Sequence, residues 1–393
     1  MIDLVTSQEL TKEEIKKYLK FRNKTFNPKT NSDNGKSNFI NFFLEHAVLN
    51  KQITSLKSPI LVSWDITNRC NSKCRTCYYS EFNTGAKDLS LQNLKKISTK
   101  LSKAEVLEIS LGGGEPLIRP DFKELLADIK NYNFFTNILT NGTLLNGIRA
   151  AQIYDLLDEN DLIQISLDGG TPLTYYKQRG INKFNDVIKN ISETVKAGVP
   201  TRCNCVATSI NLSEIPKIYE ICGNMGVNSF AISMPAFLGN FNNTLFVNQR
   251  EIIKKLLTVI DIQKEFGYKT KIIDAIGLPY SLKEIRYKID SDTNKSNLRC
   301  LAGTGKMAIS NGGNVYPCTF CMFPEFNAGN ILKKDLEKIW QSKKFNKFRG
   351  ERDLSNTKCN KCKYIGLCRG GCPGIARSIY KSINNPDPRC NWC

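Results

Sequence analysis

Residues 60–79 read ILVSWDITNRCNSKCRTCYY. The run from Ile60 to Thr67 is rich in β-branched and aromatic residues and reads as a strand. Cys70, Cys74 and Cys77 follow it in C-x3-C-x2-C spacing. Three thiolates can hold three corners of a four-iron, four-sulfur cube, and the fourth iron is then free to chelate a small molecule and pass it an electron. A structural zinc or cluster site normally closes with four protein ligands. A strand that empties into an open metal loop therefore predicts chemistry at its carboxyl end.

Beyond this strand the chain alternates apolar strands with helical stretches. The expected strands are Ile60 to Thr67, Val106 to Leu111, Phe134 to Leu139, Leu162 to Leu167, Thr201 to Thr208 and Ser229 to Pro235. Between them Leu91 to Leu101, Pro120 to Ile129, Ile148 to Leu157, Asn185 to Ala197 and Leu212 to Met225 place apolar residues at helical spacing. Repeated strand-helix units with right-handed crossovers predict an α/β fold, a parallel sheet curled into a partial, open (β/α)6 barrel. In such barrels the site lies at the carboxyl ends of the strands.

The segment W-D-I-T-N-R-C-N-S-K-C-R-T-C-Y resembles the cluster loop of the radical S-adenosylmethionine (SAM) enzymes, with Thr76 where that family often carries an aromatic or apolar residue. In that family the open iron chelates the amino and carboxylate groups of SAM, and reductive cleavage gives a 5'-deoxyadenosyl radical that abstracts hydrogen. Gly112, Gly113, Gly114, Glu115 and Pro116 resemble the family turn that holds the methionyl ammonium. Glycine allows close approach of backbone carbonyls, and a carboxylate pairs with a cation. By the same resemblance Asn141 in I-L-T-N-G, Ser166 and Asp168 in I-Q-I-S-L-D-G, and Arg179 in Q-R-G contact SAM, and Tyr78 or Tyr79 covers its adenine.

A second signature fills the last hundred residues. Cys300 is followed by twelve residues, Gly313, four residues and Cys318; Cys359-x2-Cys362-x5-Cys368-x3-Cys372 and Cys390 come later. The stretch Met307 to Pro317, with N-G-G-N at its centre, predicts a hairpin that brings Cys300 and Cys318 together. A zinc ribbon needs only four cysteines in two knuckles. The seven-cysteine spacing resembles the SPASM domain, which holds two auxiliary four-iron, four-sulfur clusters and so implies three clusters in all. The resemblance gives Cys359, Cys362, Cys368 and Cys390 to the distal cluster, and Cys300, Cys318 and Cys372 to the nearer one. The nearer then lacks a ligand: Cys321 is a candidate, and if it points away the iron stays open to substrate or water. Cys393 is either an alternative ligand or a free thiol.

The remaining thiols read as structural. Alternation along Thr201 to Thr208 puts Arg202 and Asn204 toward the lumen and Cys203 and Cys205 toward the helices, and Cys222 sits on a helix. His46, the single histidine, reads as an ordinary helix residue. Acid or base chemistry must then use carboxylates, tyrosines, lysines or thiols, and which of them is catalytic is left open.

The chain has 393 residues, fifteen cysteines and a formal charge of +19. No apolar stretch approaches the ~20 residues of a membrane span, and the N-terminus lacks a basic start followed by an apolar stretch. A reduced cytoplasm is therefore expected, with thiols used for metal rather than disulfides. Residues 333–393 hold 15 Lys and Arg against 5 Asp and Glu, a net +10. Anionic clusters offset part of that charge, which weakens a nucleic-acid reading; the remainder favours an acidic peptide or a carboxylate-rich small molecule.

The expected organisation is a helical extension over 1–58, the barrel over 59–236, a bridging segment with a helix Arg250 to Phe266 over 237–299, and the SPASM region over 300–393. Relatives that modify peptides often carry a winged-helix leader-binding domain at the N-terminus. Helices expected at Lys12 to Phe26 and Asn38 to Asn50 are too short for one, so a leader would be read by them, by a separate protein or by the basic face. The resemblance implies a peptide-modifying enzyme fed by a reductant such as flavodoxin or ferredoxin. The alternatives are a small-molecule or tetrapyrrole enzyme of the same superfamily, and a non-catalytic iron-sulfur electron carrier.

Overall fold

The computed structural model describes residues 56–275, 300–350, 352–362 and 365–390. The two N-terminal helices, His46 and Cys393 lie outside the described residues.

Seven parallel strands run in chain order: β1 (Leu61–Thr67), β2 (Glu108–Gly113), β3 (Phe135–Thr140), β4 (Leu162–Ser166), β5 (Thr201–Val206), β6 (Ser229–Ser233) and β7 (Lys271–Ala275). The first six are the expected ones. The seventh comes from the segment read as a bridge, and it pairs in parallel with β6 from Ser229↔Lys271 to Ser233↔Ala275. At the other edge β8 (Lys306–Ile309) adds in parallel to β1, with Leu61 opposite Lys306 and Trp64 opposite Ile309. A hairpin then carries the chain back into β9 (Asn314–Tyr316), and β10 (Gly329–Asn330) ends the sheet. Among the described residues β7 and β10 do not pair with each other, so the barrel is open.

Helices cover the outer face. Helix α1 (Leu91–Lys103) starts where the Ser90 side chain accepts the Asn93 N–H, and it buries Leu94, Ile97, Ser98 and Leu101, one stripe at helical spacing. Val62, Trp64 and Ile66 of β1 join the same apolar core. Alternation therefore turns Ser63, Asp65 and Thr67 to the lumen. The lumen is polar: Asn137 on β3 donates to Glu108 at 2.7 Å and to Ser110 at 3.4 Å on β2. Cys203 and Cys205 are buried in the core, as the alternation of β5 requires, and Cys222 is buried with them.

Two further helices follow, the first of them beside the site. Helix α2 (Pro172–Arg179) opens with Thr171 as N-cap and closes on Gly180 at φ +69°. Helix α3 (Gln249–Phe266) packs beside Ile215–Met225.

The cysteine-rich region is bolted to the barrel. Lys100 Nζ donates to the carbonyls of Ile331 and Lys334 at 2.7 and 2.9 Å, Trp340 Nε1 to Leu56 O at 2.6 Å, and Ser378 Oγ to Phe237 O at 2.8 Å. A small apolar cluster of Ala236, Leu238, Cys321, Phe323, Phe326 and Ile375 fills the seam, and Tyr78 packs against it from the cluster loop.

Candidate active site

The cysteine loop leaves the carboxyl end of β1 and is tied on three sides. Gly114 N–H donates to Thr67 O at 2.9 Å and Glu115 N–H to Arg69 O at 2.8 Å, which straps the turn after β2 to the backbone ahead of Cys70. The crossing is so close that a Cβ at Gly114 would stand 2.2 Å from Arg69 O, and one at Gly113, whose φ is +109°, 2.4 Å from Thr67 O. Only glycine fits at either position. From α2, the carbonyls of Arg179 and Gln178 accept the N–H groups of Lys73 and Arg75 at 3.1 and 3.0 Å. Asn240 N–H donates to Cys77 O at 3.1 Å, and its side chain donates to Cys74 O at 3.0 Å.

Glu115 is buried and fully engaged. It accepts Thr140 Oγ1–H at 2.7 Å, Asn141 N–H at 2.7 Å and Leu117 N–H at 3.1 Å. Burial raises its pKa while these three donors work in the opposite direction. Its role in the structure is to lock the turn after β2 onto the end of β3. The carbonyls of that turn remain the groups suited to an ammonium. Asn141 is likewise spent on architecture, donating to Asn71 Oδ1 at 2.7 Å and Ser72 Oγ at 3.1 Å and accepting from Thr143. It fixes the cluster loop from the far side.

Asp168 stands just past β4, where one carboxylate oxygen accepts Val206 N–H at 2.8 Å and the other pairs with Arg179 Nη1 at 3.0 Å. Burial acts against the Arg179 charge, but Cys74 and Asp168 more than offset it and hold the guanidinium protonated. Arg179 Nε has no hydrogen-bond partner among the described residues, so the group is poised between Asp168 and the thiols. Ser166 is half-buried at the end of β4 on the lumen side. Tyr79 donates its hydroxyl to Asn68 Oδ1 at 2.5 Å. Tyr78 stands edge-on to Phe320, with ring centroids 5.1 Å apart. That ring therefore joins the cluster loop to the cysteine-rich region.

The thiols sort into three groups by mutual electrostatic influence. Cys70 feels Cys77, Glu115 and Arg179, and Cys74 feels Cys70, Cys77, Asp168 and Arg179, which puts these three thiols in one neighbourhood. Cys300, Cys318, Cys321 and Cys372 form a second group, in which Cys321 senses the other three. Cys359, Cys362, Cys368 and Cys390 form the third. Burial pushes the free thiols of Cys74 and Cys372 up to about 11 and about 12, so a bound cation is needed to hold them as thiolates near neutral pH. Among the described residues no group of His, Cys, Asp and Glu converges tightly enough for a single metal ion. A cube of four irons spaces its thiolates more widely, and the three groups fit that donor chemistry.

Comparison with known proteins agrees with this geometry. The profile described as Radical SAM superfamily matches residues 64–222, and the one described as Iron-sulfur cluster-binding domain, SPASM, matches residues 300–363. The chain belongs to the radical SAM superfamily. It is an enzyme of that superfamily with a SPASM domain, which implies SAM and iron-sulfur clusters and sets aside the electron-carrier alternative. It is 27% identical over 345 residues to the mycofactocin maturase MftC of Mycolicibacterium smegmatis, covering 85% of this chain and 83% of that protein. It is 26% identical over 356 residues to the AdoMet-dependent heme synthase of Methanosarcina barkeri, covering 86% and 98%. In fold it is similar to Streptococcus suis SuiB, solved with its precursor peptide SuiA, at a TM-score of 0.71 and 19% identity over 97% of this chain and 88% of that one.

The described part contains no helix long and apolar enough to cross a membrane. Sequence reasoning missed two residues of the site. Asp65 lies in W-D-I-T as an ordinary strand residue until the pleat turns it to the lumen. Arg352 lies in an irregular stretch whose only signal is a cation amid cysteines.

Proposed function

We propose that this radical SAM enzyme removes hydrogen from a peptide or protein side chain and oxidises or cross-links that residue. The observation that carries the reading is a set of three neighbouring thiols at the mouth of the barrel with two further sets of four beside it. When bound, the cluster at the triad and SAM together supply a 5'-deoxyadenosyl radical that abstracts hydrogen.

The chain's own residues do the rest. Gly113 and Gly114 offer carbonyls to the methionyl ammonium, and Glu115 keeps them in place. Arg179, steadied by Asp168, meets the methionyl carboxylate, while Ser166 reaches the ribose end from the lumen. Cys359, Cys362, Cys368 and Cys390 hold the distal cluster. Cys300, Cys318, Cys321 and Cys372 would hold the nearer one, and with Cys321 as fourth protein ligand that group would be suited to accepting an electron rather than binding substrate. Three four-iron, four-sulfur clusters result.

A peptide substrate is supported by the maturase among the sequence relatives, by the precursor peptide bound to SuiB, and by the net charge of +19, which suits acidic segments. The haem synthase relative, aligned along 98% of its own length, favours the second reading, a tetrapyrrole or other small carboxylate-rich substrate. Anaerobic incubation of the iron-loaded protein with dithionite, SAM and candidate acidic peptides tests the choice by mass spectrometry. A loss of two hydrogens from a peptide supports the proposal; turnover of a tetrapyrrole alone overturns it.

A further inference from the structure

Among the described residues Asp65 is the one buried carboxylic acid of the lumen that the architecture leaves unused. Its Oδ2 is buried without a hydrogen-bond partner among the described residues. Glu115 and Asp168, by contrast, are engaged by donors: Thr140 and Asn141 N–H on Glu115, and Val206 N–H and Arg179 on Asp168. A buried polar atom without a partner costs free energy, and one that a protein retains calls for an explanation in function.

The surroundings say what that function is. Asp65 pairs across the sheet with Gly112, and a Cβ at Gly112 would stand 3.7 Å from Asp65 Oδ1. No side chain at Gly112 stands between the carboxyl and the turn after β2. β2 ends at the next residue, Gly113, and Gly114 follows in the turn assigned to the methionyl end of SAM. The Tyr78 phenol feels the charges of Asp65, Cys77 and Cys318 together, so the carboxyl, the radical-forming triad and the nearer auxiliary quartet meet around one ring.

We propose that Asp65 is a catalytic residue, the base that takes the proton the substrate releases after hydrogen abstraction. The inference rests on the proposed function. In the balanced step the substrate gives a hydrogen atom to the 5'-deoxyadenosyl carbon. Its radical then forms the new bond, passing one electron to the oxidised cluster at Cys300, Cys318, Cys321 and Cys372 and one proton to the Asp65 carboxylate. The substrate is two hydrogens lighter. Burial places the Asp65 carboxyl at about 7, near the pH at which a base works best. The titratable groups that feel it are the Tyr78 and Tyr79 phenols, both held protonated by burial.

The test compares wild type, D65N and D65E as iron-loaded enzymes with SAM, dithionite and a peptide that the wild type modifies, its target carbon deuterated. D65N is expected to form deuterated 5'-deoxyadenosine within about twofold of wild type while product falls roughly 100-fold or more, and D65E to recover part of the product. The substrate-free enzyme gives a separate readout: difference infrared spectra should show a protonated-carboxyl band growing in as pH falls through about 7 in wild type and missing in D65N. Product from D65N at the wild-type rate, or a parallel loss of 5'-deoxyadenosine and product, overturns the role of Asp65. So does a band unchanged in D65N. A wild-type enzyme that forms 5'-deoxyadenosine yet changes no peptide overturns the proposed function instead, and the role of Asp65 with it.

Discussion

Arg352 Nη1 donates to the carbonyl of Gly371 at 2.8 Å, one residue before Cys372. The same guanidinium donates to Arg369 O, next to Cys368, at 3.3 Å, to Ile383 O at 2.6 Å, and to Asn385 O. It senses Cys300 and Cys372 of the nearer quartet and Cys359 of the distal one. One half-buried cation thus sits between the two auxiliary sets and ties the loops of both.

A positive charge in that place favours the reduced, more anionic form of each cluster. R352Q should lower both auxiliary midpoint potentials, by an amount on the order of 50 mV for a unit charge at this range in a protein interior. Potentiometric titration followed by electron paramagnetic resonance reads it. Unshifted potentials in an iron-replete R352Q protein would contradict the placement.

Asp387 makes the second tie. It accepts Cys372 N–H at 3.0 Å and is paired with buried Arg389, which neighbours Cys390. The pair is buried, so cutting one partner leaves an uncompensated charge and should cost about 3–5 kcal/mol. D387N is expected to lower the thermal midpoint of the iron-loaded protein and to shed auxiliary iron first, measured by iron analysis during stepwise heating.

The strap between Gly114 and Arg69 makes G114A a sharp test of the cluster loop. A methyl group 2.2 Å from a backbone oxygen forces the loop that carries Cys70 aside. The variant should fold and keep both auxiliary clusters, bind about four fewer irons per chain, and make no 5'-deoxyadenosine. Full iron content would refute the reading.

Cys321 separates the two ways of completing the nearer cluster. If it is a ligand, C321A leaves the triad intact and therefore leaves 5'-deoxyadenosine formation in place, while product yield drops and the nearer cluster's signal changes. An unaltered set of three spectra would show that Cys321 is only a core residue of the seam.

The Asp65 carboxyl also leaves a mark on stability. Its folded pKa, raised by burial to about 7, lies above the unfolded value of about 3.9. The folded state therefore holds a proton that the unfolded chain releases, and the stability this contributes is lost as pH rises through about 7. Between pH 6 and 8 the thermal midpoint of the wild type should fall relative to D65N. Parallel curves would place the carboxyl in its ordinary range.

Much of this was legible in the sequence because the relevant signals are local. Cys70, Cys74 and Cys77, the G-G-E-P turn and the first six strands all follow from spacing and period within short windows. Cys203 and Cys205 fell on the helix side because strand alternation is a strict two-residue rule. The parts that were not legible depend on distant partners. Lys271–Ala275 and Lys306–Ile309 are strands of five and four residues whose pairing with β6 and β1 is set by tertiary contact rather than propensity. Helix Pro172–Arg179 carried its own Thr-Pro start and Gly180 stop, and its eight residues were too few for periodicity to stand out. Asn141 and Glu115 matched family motifs, yet the sequence could not say that their polar atoms point into the protein. Cys321 comes near Cys300, Cys318 and Cys372 only through the fold-back of the hairpin, which no local spacing reveals.

The central claim is a cube with one iron left to SAM at the triad. Electron-nuclear double resonance on the reduced protein, with the auxiliary cysteines replaced and SAM labelled with nitrogen-15 at its amino group, measures this directly. A hyperfine coupling between that nitrogen and the cluster at Cys70, Cys74 and Cys77 is the result expected. A fully assembled cluster with no such coupling would contradict the account.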